Sequence, residues 1–121
     1  MDTTHYDVRF VRVAVKDLHR AKDFYANILG MQMIVERIED GYLLFSLDCT
    51  TLIVEQVDSN DFNLPSGRYL GISIKVNDIQ KVYEALLQEH VKFTHPPKKQ
   101  FWGGYLTEFS DPDENVWTLL G

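Results

Sequence analysis

The chain has 121 residues, 45% hydrophobic and 25% charged, which gives it the length of one domain with a real core and the composition of an ordinary globular protein. Twelve basic against 18 acidic side chains leave a net charge of −6, a balance that repels phosphate and argues against nucleic acid or an anionic membrane as partner. The single cysteine, Cys49, excludes an internal disulfide and a Cys-rich metal site, and its apolar flanks place it in the core. No apolar run approaches the roughly 18 residues of a membrane span and no leader-like segment opens the chain, so a cytoplasmic location is expected.

Val8 to Lys16 alternates strictly, with Val11, Val13 and Val15 on one side and Phe10, Arg12, Ala14 and Lys16 on the other. Period two with β-branched residues predicts a strand. Asp17 stands as an N-cap, and Leu18, Ala21, Phe24, Tyr25, Ile28 and Leu29 follow at helical spacing until Gly30. Strands are predicted over Met31 to Arg37, Tyr42 to Asp48 and Thr51 to Val57, separated by Glu39-Asp40-Gly41 and Asp48-Cys49-Thr50. The stretch from Asp58 to Arg68 has no periodicity and reads as a linker.

The pattern then repeats. Leu70 to Val76 sets Ile72, Ile74 and Val76 against Gly71, Ser73 and Lys75, and Asp78 caps a helix with Ile79, Val82, Tyr83, Leu86 and Leu87 on its apolar face. A shift of 61 positions (78 minus 17) carries the first cap onto the second and the three valines onto Ile72, Ile74 and Val76. Val91 to Phe93, Tyr105 to Ser110 and Val116 to Leu120 complete the second half as strands, with Thr94 to Gly103 as a loop. The expected organisation is a module over residues 8–57, a linker over 58–68 and a second module over 69–121.

Val15-Lys16-Asp17-Leu18, then Phe24-Tyr25 and Ile28-Leu29-Gly30-Met31, resembles the opening of the vicinal oxygen chelate superfamily, which includes glyoxalase I, bleomycin-resistance proteins and ring-cleaving dioxygenases. Phe101-Trp102-Gly103 and Phe109-Ser110-Asp111-Pro112-Asp113-Glu114-Asn115-Val116 resemble its closing loop and turn, except that Glu114 stands where the family usually has glycine. Because a left-handed residue would be strained as Glu, Asn115 or another turn type is expected to carry the reversal. The resemblance implies an α+β fold of two βαβββ modules whose mixed sheets form a half-open barrel, often completed by a second subunit as a homodimer. The valine and isoleucine faces would pack on the helices, and the opposite faces would line a cavity.

Metal-dependent members hold a divalent ion with His, Glu or Gln from the first and last strands of each module. The matching positions here are Phe10, Gly71, Ile53 and Thr118. Phe, Gly and Ile have no side-chain donor, so no metal, no cofactor and no catalytic residue are expected. The histidines, Cys49 and the carboxylates form no other catalytic motif. What remains is a small-molecule pocket lined by Phe10, Arg12, Ile53, Glu55, Gly71, Ser73, Lys75 and Thr118, with Trp102 on the loop above it.

Several of these residues carry two readings. Gly71 either leaves ligand room or accommodates the Phe10 ring. Arg12 and Lys75 either pair with Glu55 or Glu108 or meet an anionic ligand. Trp102 either stacks on a flat ligand or plugs the barrel edge. The function these residues support is a metal-free drug- or metabolite-binding protein of the bleomycin-resistance type. The alternatives are a metal-dependent lyase, isomerase or dioxygenase of the same superfamily with its ligands elsewhere, and a domain that only contacts another protein.

Overall fold

The structure, a computed structural model, describes residues 3–59 and 64–121. The middle of the expected linker, residues 60–63, lies outside them. Strand β1 (Phe10–Val15) leads through the Asp17 cap, whose side chain accepts the Arg20 N–H, into α1 (Leu18–Lys22). That helix continues not as α but as a π-helix over Asp23–Ile28, with the Leu29 N–H reaching Phe24 and the Met31 N–H reaching Tyr25. Strands β2 (Gln32–Arg37), β3 (Tyr42–Leu47) and β4 (Thr50–Gln56) follow. The second half runs through β5 (Tyr69–Lys75), α2 (Ile79–Gln88, capped by Asp78), β6 (Lys92–Phe93), β7 (Lys98–Lys99), β8 (Tyr105–Ser110) and β9 (Val116–Leu120). Strand β7 lies in what the sequence reads as loop; two lysines carry no apolar alternation, and only their pairing with Tyr105 and Leu106 makes them a strand.

Each half forms one mixed sheet. The first has the order β1-β4-β3-β2 and the second β5-β9-β8-β6, with β7 also on β8. In both, the first and last strands of the module pair in parallel and the rest antiparallel. Register fixes the faces. Val13 lies level with Val54 and Leu43, and Val11 with Leu52 and Phe45, so these residues share the side covered by α1. Ile74 lies level with Leu119, on the corresponding side of the second sheet.

The two modules share one core, in which Tyr25 and Trp117 are fully buried and pack at 6.1 Å between ring centroids. Tyr25 also meets Phe45 at 5.9 Å, and Phe24 meets Phe109 at 6.3 Å. The Tyr25 hydroxyl donates to Asp111 Oδ2 (2.7 Å) and accepts from Trp117 Nε1 (3.0 Å). Burial, and then the adjacent Asp111 carboxylate, hold the phenol well above its ordinary pKa.

The turn at 111–115 joins the modules. Asp111 Oδ1 accepts the N–H groups of Asp113 and Asn115. Asn115 donates to the Ala14 carbonyl and accepts from Gly67 N–H, both at 2.9 Å. Asp113 takes the Lys16 N–H and pairs with Arg20. Strand β1 is an edge of its sheet, and the bonds to Ala14 and Lys16, with Arg68 donating to the Arg12 carbonyl, satisfy backbone groups that no neighbouring strand reaches. Glu114 itself takes the left-handed conformation, at φ 66°, contrary to the expectation that Asn115 or another turn type would carry it. The carboxylate clamp on either side holds the backbone there whatever the residue prefers.

Cys49 is exposed, not in the core. It follows Asp48, at φ 50°, in the two-residue link between Leu47 and Thr50, and a tight hairpin tip has no buried side.

Candidate functional site

The sheet faces turned away from the helices carry most of the predicted pocket residues. On the first sheet Phe10 lies level with Thr51, and Arg12 with Ile53. Glu55 lies one step further on, level with Ala14 and Tyr42. Phe10 is 52% exposed, whereas Ile53 and Ala14 are buried. Arg12 pairs through Nη1 with Glu55 Oε1, so the interior cation has its counter-ion. The second oxygen of Glu55 and the Nε of Arg68 are buried with no hydrogen-bond partner, each at a cost on the order of 1–3 kcal/mol.

On the second sheet Ser73 lies level with Thr118, which is level in turn with Glu108. Five residues of β5, from Tyr69 to Ser73, span only three of β9, from Val116 to Thr118. Gly71 sits in this bulge at φ 70°, and no atom lies within 4 Å of where its Cβ would be. It therefore neither makes space for the Phe10 ring nor packs against it; the backbone conformation is what needs glycine. Because the excess is two residues, the alternation stays in phase and Ser73 and Lys75 remain on the open side. Glu108 accepts from Thr94 Oγ1, and Lys75 has no ion pair among the described residues.

Tyr69, which the sequence reading leaves out, belongs with this group. It is 59% exposed, and its hydroxyl lies 3.1 Å from Thr118 Oγ1. The signal was parity: position 69 shares the phase of 71, 73 and 75, one residue before the predicted strand begins. Trp102 stands on the loop, half exposed, with its ring over Gly104, where a Cβ would come within 1.9 Å of a ring carbon. Phe101 beside it is fully exposed. Trp117 is buried in the core, as its alternation implies.

The donor set does not fit a metal ion. The positions carried over from metal-dependent relatives hold Phe10, Ile53, Gly71 and Thr118. Of the four only Thr118 offers a side-chain donor, a hydroxyl, and none is an imidazole or a carboxylate. Among the described residues, no group of three or more His, Cys, Asp or Glu side chains is placed to hold one.

Two described clefts, of about 480 and 530 Å³, touch none of the nine predicted pocket residues. On these faces Phe10 and Tyr69 are exposed, whereas Ile53 and Thr118 are buried. Among the described residues, no helix is long and apolar enough to cross a membrane.

A family model described as the Glyoxalase/Bleomycin resistance protein/Dioxygenase superfamily matches residues 7–119. The chain belongs to this superfamily. A superfamily member from Sphaerobacter thermophilus DSM 20745 is 30% identical, with 96% of this chain and 97% of that one covered and a TM-score of 0.84. TnmS3, an antibiotic-binding protein from Streptomyces sp. CB03234, is 26% identical, with coverage of 98% and 97% and a TM-score of 0.81. The uncharacterized protein YraH of Bacillus subtilis strain 168 is 26% identical over 117 residues, covering 88% of this chain and 91% of its own length. This superfamily member thus has an antibiotic-binding protein among its structural relatives.

Proposed function

We propose that the protein is a metal-free binder of a small drug or metabolite, holding it against the open sheet faces without breaking a bond, and that it works as a homodimer in the cytoplasm. The observation that carries this reading is the make-up of those faces: exposed Phe10 and Tyr69, hydroxyls at Thr51, Ser73 and Thr118, and an ion pair that already neutralises Arg12. Apolar walls with a few oriented polar groups are what small-molecule sites use. The similarity to an antibiotic-binding protein agrees with it.

Arg12 is silenced by Glu55, and the chain carries −6 overall, so the ligand that fits is an aromatic compound of low net charge. Its hydroxyl or N–H groups would find acceptors in Glu55 and Thr118. The dimer follows from the same faces, since a single chain leaves them uncovered and a second copy would turn an open surface into a closed pocket. Trp102 and the 100–104 loop are then placed to fold over its mouth.

The test is a panel of aromatic antibiotics and metabolites titrated against the purified protein, read by tryptophan fluorescence. Trp117 is buried in the core, so a ligand at the mouth should act on Trp102, and the saturable change it produces should vanish in Trp102→Phe. A panel that leaves emission unchanged, from a protein that turns over a substrate of a metal-dependent relative when metal is supplied, overturns the proposal.

A further inference from the structure

On the helix side of the sheets lies the cleft of about 480 Å³, within the ~300–1,000 Å³ range of small-molecule sites and independent of the reading above. Phe24, Ile28 and Val91 make an apolar base, with Phe24 and Val91 only 4% and 7% exposed. Three departures from regular backbone meet around it. Phe24 and Ile28 come from the π-helix, a form that is rare and concentrates at functional sites. His90 (φ 64°) and Glu114 (φ 66°) are left-handed, and the third non-glycine residue of that kind among those described, Asp48, is in a hairpin tip.

Glycine is the ordinary choice at both positions. His90 follows the Glu89 cap of α2, where the Val91 N–H turns back to the Leu86 carbonyl, a helix ending that favours glycine. Holding a side chain there costs on the order of 1 kcal/mol at each site. Glycine would also leave the cleft without the imidazole and the carboxylate that line it.

The charges around the cleft define what it takes. Arg20 and Asp113 are paired with each other. Lys16, Lys92, Glu89 and Glu114 also line it, and none of the four has an ion pair among the described residues. A simple anion or cation would meet a like charge along with its partner. A zwitterion with an apolar group satisfies both signs and the base. We infer that this cleft binds a free α-amino acid with an aromatic or branched side chain, its carboxylate toward the lysines and its ammonium toward the glutamates.

The probes are L-phenylalanine and L-leucine, followed by amide NMR shifts of the labelled protein, with phenylacetate and phenethylamine as analogues lacking one charge. Saturable shifts confined to residues 16–28, 89–92 and 110–114 are expected, with either analogue binding about fivefold more weakly. Lys16→Gln and Glu114→Gln remove side chains that have no ion pair among the described residues, so both should melt like the parent while weakening phenylalanine about threefold each. Shifts that do not saturate or map elsewhere, analogues that bind as well as the amino acids, or variants that bind them unchanged would overturn the inference.

Discussion

Glu114 illustrates how a residue is held against its own preference. Its neighbours Asp113 and Asn115 bond Lys16, Arg20, Ala14 and Gly67, so the backbone between them keeps φ at 66°. Glu114→Gly should raise stability by up to about 1 kcal/mol, measured as a higher denaturant midpoint, because only the strain is removed. Asn115→Ala should do the opposite. It leaves the Ala14 carbonyl and the Gly67 N–H unpartnered at a buried junction, for a loss of about 2–4 kcal/mol in the same measurement. The turn motif was legible in the sequence. Its job as the fastening between two modules was not, because its partners are 48 and 101 residues away.

Tyr25 predicts a pH dependence. Its folded pKa is raised, so its contribution is fully present below the unfolded value of about 10 and is lost as pH rises beyond it, when only the unfolded chain ionises. Stability should therefore fall above pH 10 by up to about 1.4 kcal/mol per pH unit from this group, and Tyr25→Phe should flatten that part of the alkaline slope in unfolding curves taken from pH 8 to 11.

Among the elements, the long strands and both caps follow from alternation and from Asp17 and Asp78, since a period-two apolar pattern admits one partition of faces. Less was legible where pairing decides. The register that sets Phe10 beside Thr51, and brings Glu55 to Arg12, depends on how far β1 slides along β4, which neither strand encodes alone. The π-helix arose where the spacing of Phe24, Tyr25, Ile28 and Leu29 reads equally as α, and the bulge at Gly71 where glycine reads as a gap in a side-chain pattern. Gly71→Ala tests that reassignment. With no atom near the new methyl, the loss should be about 1 kcal/mol of backbone strain, and a neutral result by thermal melting would show that the bulge does not require glycine.

At the scale of the whole molecule, one core between the modules leaves both remaining sheet faces turned outward. That arrangement explains why the predicted pocket residues gather by sheet and not around one hollow. Phe10 is exposed on this surface, so Phe10→Asp should leave the fold intact, convert the proposed dimer to a monomer by light scattering, and abolish ligand binding with it. The most direct trial of the account is the metal content of the purified protein, taken with its melting temperature before and after nickel, zinc, manganese and iron are added. Donor-poor faces predict no stoichiometric metal and an unchanged melting temperature. One tightly held transition metal per chain, with a large stabilisation that a chelator abolishes, would contradict it.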